Sequence, residues 1–471
     1  MKRFIICVMC AVFLFCSTVS VLANSGPVYW QGYPSAGIMA VEKNSPIKVK
    51  REDLVFDFSD WTGSDYTVSG RVTAAYKMSN PTEETQPVNM AFPFVGRASS
   101  LSAEDVTITA DGVTLSYDVY FGNAMDSYKG AHGRDGESGF GFEDIVSSIT
   151  DKPYRAESFE EKEKGRLYTF HVQPTIDQEV NFAVDFAFDA SKTRVLTKGF
   201  NRMERDKQNT RIASWCRQPK VLEVLVLGED INFDINAYTD GKLSQRTELL
   251  EYRIDKKEAE LRPYLLELVR DYRGVKDSGI ISDIQIYNLY AQALDNHFTR
   301  HMGLCSEDDL RAMGRLERII TLVYTVNFPP KSEKEVSVSY NTSGTMEGRK
   351  TSKPLYSFEY LLNPARNWAD FKYLNIEVIP PQAAPYIVES STHLTRGEDG
   401  VYKASLEALP EEDLTFTLYA FEKVTLLDRA YGSVQRRFGY MTPLVLGAAF
   451  LLAMGVAVTS AIVRRKRELM R

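Results

Sequence analysis

The feature that most constrains this chain lies near its end. Residues 441–463 carry no charged side chain, and Arg464, Arg465, Lys466 and Arg467 follow at once. At about 1.5 Å per residue, a helix of that length reaches roughly 34 Å, enough to cross a hydrocarbon core about 30 Å thick. Positive charge beside a span marks its cytoplasmic side. A buried core helix is the competing reading, disfavoured by the unbroken absence of charge and by the basic cluster. The stretch predicts one transmembrane helix over 441–463, a short cytoplasmic tail over 464–471, and everything earlier on the outer side.

The beginning agrees with that topology. Lys2 and Arg3 precede apolar residues 4–15, and small residues lead to a cleavage position after Ala23. This is the pattern of a secretory signal peptide over 1–23, with an apolar run too short to span a bilayer. A retained N-terminal anchor is the alternative. The two ends predict a single-pass protein of the cell membrane, with an extracellular N-terminus and a cytoplasmic C-terminus.

Charge is then counted by compartment. Without the leader and tail, the outer part keeps 49 basic and 62 acidic residues, a balance of about −13. Such a surface repels phosphate polymers, so nucleic acid is not an expected partner. The whole chain of 471 residues is 44 % hydrophobic and 25 % charged, which excludes a disordered polymer and a multi-span transporter. Of the five cysteines, only Cys216 and Cys305 lie beyond the leader. Two cysteines do not make a disulfide scaffold. They form either one bridge or two buried thiols.

Between the ends the dominant period is two. Alternating stretches flank Asp111 and Gly112, the strongest short hairpin signal, because glycine tolerates the positive φ of a tight turn. Residues 129–141 are rich in glycine and polar residues and read as a loop, and 198–220 reads as a connection. From residue 242 to 318 the period becomes helical: Ile284, Tyr287, Tyr290, Ala291, Leu294 and Phe298 form one apolar stripe. Ser306 and Asp309 have the spacing of a helix-opening capping box. Alternation returns after residue 319. The predicted fold is mainly β, with two antiparallel β-sandwich-like domains (24–241 and 319–425), a small helical insert (242–318), a stalk (426–440) and the C-terminal transmembrane helix.

Three stretches carry a resemblance: residues 46–54, residues 72–93 with Asn80-Pro81 and Phe92-Pro93, and residues 360–368 from Tyr360 to Trp368. They are similar to an uncharacterised family of exported bacterial β-rich proteins of unknown function. The second stretch also resembles the opening of vault/inter-alpha-trypsin type domains. The resemblance covers about a quarter of the chain and implies β-sandwiches and export. It implies no activity and no catalytic residues.

Candidate chemistry is sparse. His297, His301 and Cys305 recur at spacings of four, which places them on one helix face where imidazole and thiolate would suit zinc. Gly303 interrupts that helix and no fourth ligand is evident, so half-buried helix residues are the primary expectation and no metal or cofactor is assigned. Asp189, Ser191 and Thr193 resemble the ion site of von Willebrand A-type domains but lack the parallel βαβ setting. Asp230, Asn232 and Asp234 resemble a calcium loop with Ile235 where glycine is required. No Gly-x-Ser-x-Gly or His-Glu-x-x-His motif occurs. Tyr29, Trp30 and Tyr33 lie just past the leader and could form a platform for a protein or glycan partner, or a first strand. The expectation is a non-catalytic binding or structural ectodomain. The alternatives are a surface-anchored hydrolase and an accessory subunit of a membrane complex.

Overall fold

The computed structural model describes residues 27–63, 65–125, 140–270, 272 and 279–469. The leader and most of the glycine-rich stretch lie outside the described residues. The protein is mainly β, with a helical insert and one long apolar helix at its C-terminal end. Its described residues divide into two compact units, each discontinuous in sequence: those up to 37, 47–79 and from 333 onward form one, and those within 38–46 and 80–332 the other. Contiguous blocks were the expectation. Strand pairing overrides chain order here, since Ser69–Ser79 hydrogen-bonds along its whole length to Glu333–Ser343.

In the first unit, Lys48–Asp57 lies between Ser69–Ser79, which is antiparallel to it, and Leu374–Ile379, which is parallel. A second sheet joins Tyr29–Trp30, Thr345–Glu347, Leu355–Leu361, Leu414–Tyr419 and Tyr386–Ser390. Inward aromatics close the sandwich. Phe56 meets Tyr360 and Phe416 edge-on at 5.9 and 5.1 Å, and Phe58 meets Phe358 at 4.4 Å. Burying each such ring stabilises by about 1.5–3 kcal/mol. The expected stalk is a helix, Leu426–Phe438, opened by a Thr425–Asp428 capping box. Gly432 lets it sit against the backbone of Lys350 and Thr351, where an added Cβ would come within 2.2 Å. Thr442–Leu469 follows, its residues Leu444–Arg465 long and apolar enough to cross a membrane.

The second unit is layered. Leu250–Glu260, Lys164–Pro174, Lys220–Gly228, Thr193–Lys198 and Leu304–Ser306 form a five-stranded sheet. Arg202–Asp206, Asn209–Cys216, Val180–Ala187 and Asp234–Tyr238 form a four-stranded sheet. Lys220–Gly228 is an apolar run because both its faces are covered. Val224 and Val226 pack in the core that contains Phe182 and Phe186 of the four-stranded sheet, whereas Leu225 and Leu227 pack with the helices. Those helices are Leu261–Arg270, Asp283–Arg300 and Glu307–Gly314.

Two local expectations are corrected. The helical region begins at Leu261, because Leu250–Glu260 is an exposed edge strand whose charged side chains hide its period. The stretch 198–220 contains a hairpin, Arg202–Asp206 with Asn209–Cys216, turned through Lys207 at φ 55°. The Asp111-Gly112 turn is present with both φ angles positive, 49° and 78°. Asn80 ends its strand by donating from Nδ2 to the carbonyls of Phe328 and Glu84 at 3.0 and 2.7 Å.

Candidate functional site

Three places concentrate groups capable of recognition or chemistry. The first is an aromatic edge in the first unit. Trp30 pairs with Met346, and Met346 with Tyr356, so the three share one face of the sheet. Tyr66, from the loop between Asp57 and Ser69, stacks on Trp30 at 5.7 Å. Trp61 from the same loop meets Tyr356 edge-on at 5.5 Å. Trp30 and Tyr66 remain 37 % and 59 % exposed, which leaves a flat apolar surface open to solvent.

The three predicted aromatics do not form one platform. Tyr29 follows strand alternation to the opposite face, where the Arg349 guanidinium lies 4.7 Å from its ring centre. Arg349 is in turn held by Glu347 through bonds of 2.8 and 2.6 Å. Tyr33 is half-buried. Sequence reasoning missed Tyr66, whose loop has no period to announce it.

The second place is an open cleft of about 660 Å³ in the other unit. Asp185 and Arg211 form a two-point ion pair in its wall, at 2.6 and 2.9 Å. The Asp185 bonds raise the Arg211 pKa further. Phe186, Asn209, Asn232 and Asp234 complete a mixed apolar and polar lining. The Thr210 hydroxyl, also in the lining, is buried without a hydrogen-bond partner among the described residues. Arg205 rims the cleft and donates to the Met302 carbonyl at 2.8 Å.

The third place lies where Asp283–Arg300 ends. His297 and His301 stack at 5.0 Å, as their spacing on one helix face predicts. Met302 and Gly303 then take positive φ, 51° and 76°, and reverse the chain. At Gly303 an added Cβ would come within 2.8 Å of the Thr193 carbonyl, so the turn has no room for a side chain. Leu304–Ser306 runs parallel to Val195–Thr197 and carries Cys305 into the helical core. Ser306 opens the next helix through the anticipated capping box with Asp309. The donor atoms of His297, Cys305 and Asp309 all lie within 4.8 Å of one another. Asp309, across the turn, takes the place in the cluster that the spacing had suggested for His301. Burial lowers the His297 pKa, and burial together with the Asp309 charge pushes the Cys305 thiol well up.

The remaining motifs build structure. Asp189 Oδ1 accepts from the Ser191 amide and hydroxyl at 2.9 and 2.8 Å, closing a turn. Asp230 accepts from the Tyr168 hydroxyl at 2.6 Å and from Lys256 at 2.7 Å. Burial would raise its pKa, yet these bonds outweigh burial and hold it at about 2. Asp234 opens a strand. Cys216 and Cys305 are both free and buried, in different cores.

No family model matches the chain, and no curated protein matches it. Among solved structures, it is similar to the crystal structure of a candidate nutrient-binding protein from Legionella pneumophila. That similarity covers 88 % of this chain and 76 % of the other, at 10 % identity and a TM-score of 0.36.

Proposed function

We propose that this chain is a single-pass protein of the cell membrane whose β-rich body faces outward and serves as a non-catalytic binding module. The observation that carries the reading is the helix over Leu444–Arg465. Its mean hydropathy is 2.2, and none of its apolar window is buried against the protein. Phe450, Leu452 and Val456 are between 65 % and 72 % exposed. In water such a face would associate or aggregate, whereas hydrocarbon accommodates it. Arg464, Arg465, Lys466 and Arg467 set the orientation, tail inside. The Trp30–Tyr66 pair supplies the contact surface, since exposed stacked aromatics suit protein partners and the apolar faces of sugar rings.

The test uses the free cysteines as an advantage. Both are buried, so a membrane-impermeant maleimide has little to react with in the body of the protein. In intact cells making the full chain, Val113→Cys, at a position 66 % exposed, is expected to label. Arg467→Cys is expected to label only after permeabilisation. The reverse pattern overturns the topology. For binding, a photo-crosslinking residue at Tyr66 is expected to capture a partner that Trp30→Ala abolishes. Capture indifferent to Trp30 removes the aromatic edge as the contact.

A further inference from the structure

We propose that His297, Cys305 and Asp309 form a binding site for a zinc-class divalent cation, independent of the surface reading above. A nitrogen, a sulfur and an oxygen donor converge from three successive elements: the end of Asp283–Arg300, the short strand Leu304–Ser306 and the first turn of Glu307–Gly314. Zinc bonds to such donors are about 2.0–2.3 Å long, and tetrahedral geometry separates the donors by roughly 3.3–3.8 Å. The cluster spans at most 4.8 Å, so side-chain rotation of about 1 Å closes it. The mixed set selects against calcium and magnesium, which require oxygen throughout.

The surroundings prepare each ligand. Asp309 Oδ2 accepts from the Ser306 amide at 2.9 Å and from its hydroxyl at 2.6 Å. These bonds fix the carboxylate and leave Oδ1 for a cation, as outer partners do at metal sites. Arg311, the nearest cation on the same helix, is engaged with Glu307 and Asp308 and lies over the Tyr272 ring. Asp309 has no salt-bridge partner among the described residues. A thiol that is fully buried beside a carboxylate is a poor acid, and a bound divalent ion supplies the positive charge that would release its proton. His301 lies outside the set, stacked flat on His297. Three protein ligands leave the fourth position open, and His297 and Asp309 are both only half-buried.

The test is cobalt titration of the full chain in detergent micelles, after chelator treatment and under reducing conditions. The expected result is one cobalt per chain with a thiolate-to-metal charge-transfer band, displaced by zinc. Cys305→Ser is expected to lose the band, and His297→Gln to weaken binding at least about tenfold. Thermal unfolding of each metal-free variant separates loss of a ligand from loss of the fold. The absence of a thiolate band in the unsubstituted protein overturns the site, as does binding by folded His297→Gln or Cys305→Ser equal to that of the parent. Should one variant fail to fold, the other decides.

Discussion

Two buried carboxylates, one in each compact unit, show how differently the same group can be accommodated. Glu52 is fully buried in the first unit and accepts from the Tyr360 hydroxyl at 2.9 Å. The Tyr76 hydroxyl lies 3.1 Å from that of Tyr360, and Gly37 packs close over the pair, where an added Cβ would lie 3.0 and 3.3 Å from the two hydroxyls. Burial raises the Glu52 pKa to about 7, only partly opposed by the tyrosines. Asp295, in the other unit, is 4 % exposed. It accepts from the Glu157 amide at 3.0 Å, the Ser158 amide at 2.9 Å, the Ser158 hydroxyl at 2.6 Å and the Tyr154 hydroxyl at 2.9 Å. Burial alone would raise its pKa too, yet these bonds outweigh it and the net shift is downward. Solvent exposure alone does not decide the charge state: Glu52 lies deeper within the protein and has fewer donors, and both differences act in the same direction.

The comparison breaks most visibly at Asp295. Its bonds tie the segment at residues 154–158 to the helix Asp283–Arg300, and two of its donors are backbone amides. Asp295→Ala leaves them without an acceptor, at about 1–3 kcal/mol each. The expected loss is about 3 kcal/mol or more in denaturant midpoint experiments. Asp295→Asn is expected to recover part of it, because one oxygen remains.

Glu52 carries the next largest effect, and it depends on pH. The folded pKa, about 7, lies above the ordinary 4.5, so the folded state favours the protonated form. The contribution is intact below about pH 4.5, is lost progressively as pH rises to about 7, and stays lost above that. The full span is about 3 kcal/mol by linkage. Glu52→Gln is expected to flatten the stability profile between those limits, and to be the more stable protein at pH 8. Asp295 acts at the other end: its contribution is present above the ordinary 3.8 and is lost as pH falls through its lower folded pKa. Both contributions are intact together only between about pH 3.8 and 4.5.

What could be read without coordinates follows from the range of each signal. The Asp111-Gly112 turn and the Ser306–Asp309 capping box are local chemistry, complete within four residues, and both are present. The stripe from Tyr287 to Phe298 is likewise one helix face. Glu52 was illegible because a bulge between Val49 and Arg51 shifts the strand's phase. It brings Glu52 into line with inward-facing Leu54 and Phe56. Asp309 was missed as a companion of His297 and Cys305 because it lies on the next helix, past a turn that sequence spacing does not count. Tyr66 and Trp30 meet through a sheet whose partner, Thr345–Glu347, is some 300 residues away.

A third substitution sharpens the contrast without removing either carboxylate. Tyr360→Phe takes the hydroxyl donor from Glu52 and keeps the ring that packs on Phe56. Burial then acts with less opposition, and the Glu52 pKa is expected to move above about 7. The stability lost is expected to be about 1 kcal/mol and larger at pH 8 than at pH 5, since a hydrogen bond to a charged group contributes more than one to a neutral group. Equal loss at both pH values would mean that the hydroxyl supports packing rather than charge.

The smallest expected change comes from Ser158→Ala. It removes one donor from Asp295 and leaves both backbone amides and Tyr154 in place. With three donors remaining, the carboxylate stays ionised at neutral pH, and the cost is expected to be about 0.5–1.5 kcal/mol. Its pH dependence has the same sign as that of Tyr360→Phe, larger where the carboxylate is ionised, but falls in a more acid window. The difference from the parent protein persists above the ordinary carboxylate pKa of 3.8 and shrinks as acid protonates Asp295 in both. Chemical denaturation of the two variants at pH 3, 5 and 8 therefore distinguishes them: the Tyr360→Phe difference changes between pH 5 and 8, the Ser158→Ala difference between pH 3 and 5. If Ser158→Ala instead costs as much as Asp295→Ala, then Asp295 depends on a single strong bond, and counting donors is the wrong account of why these two carboxylates differ.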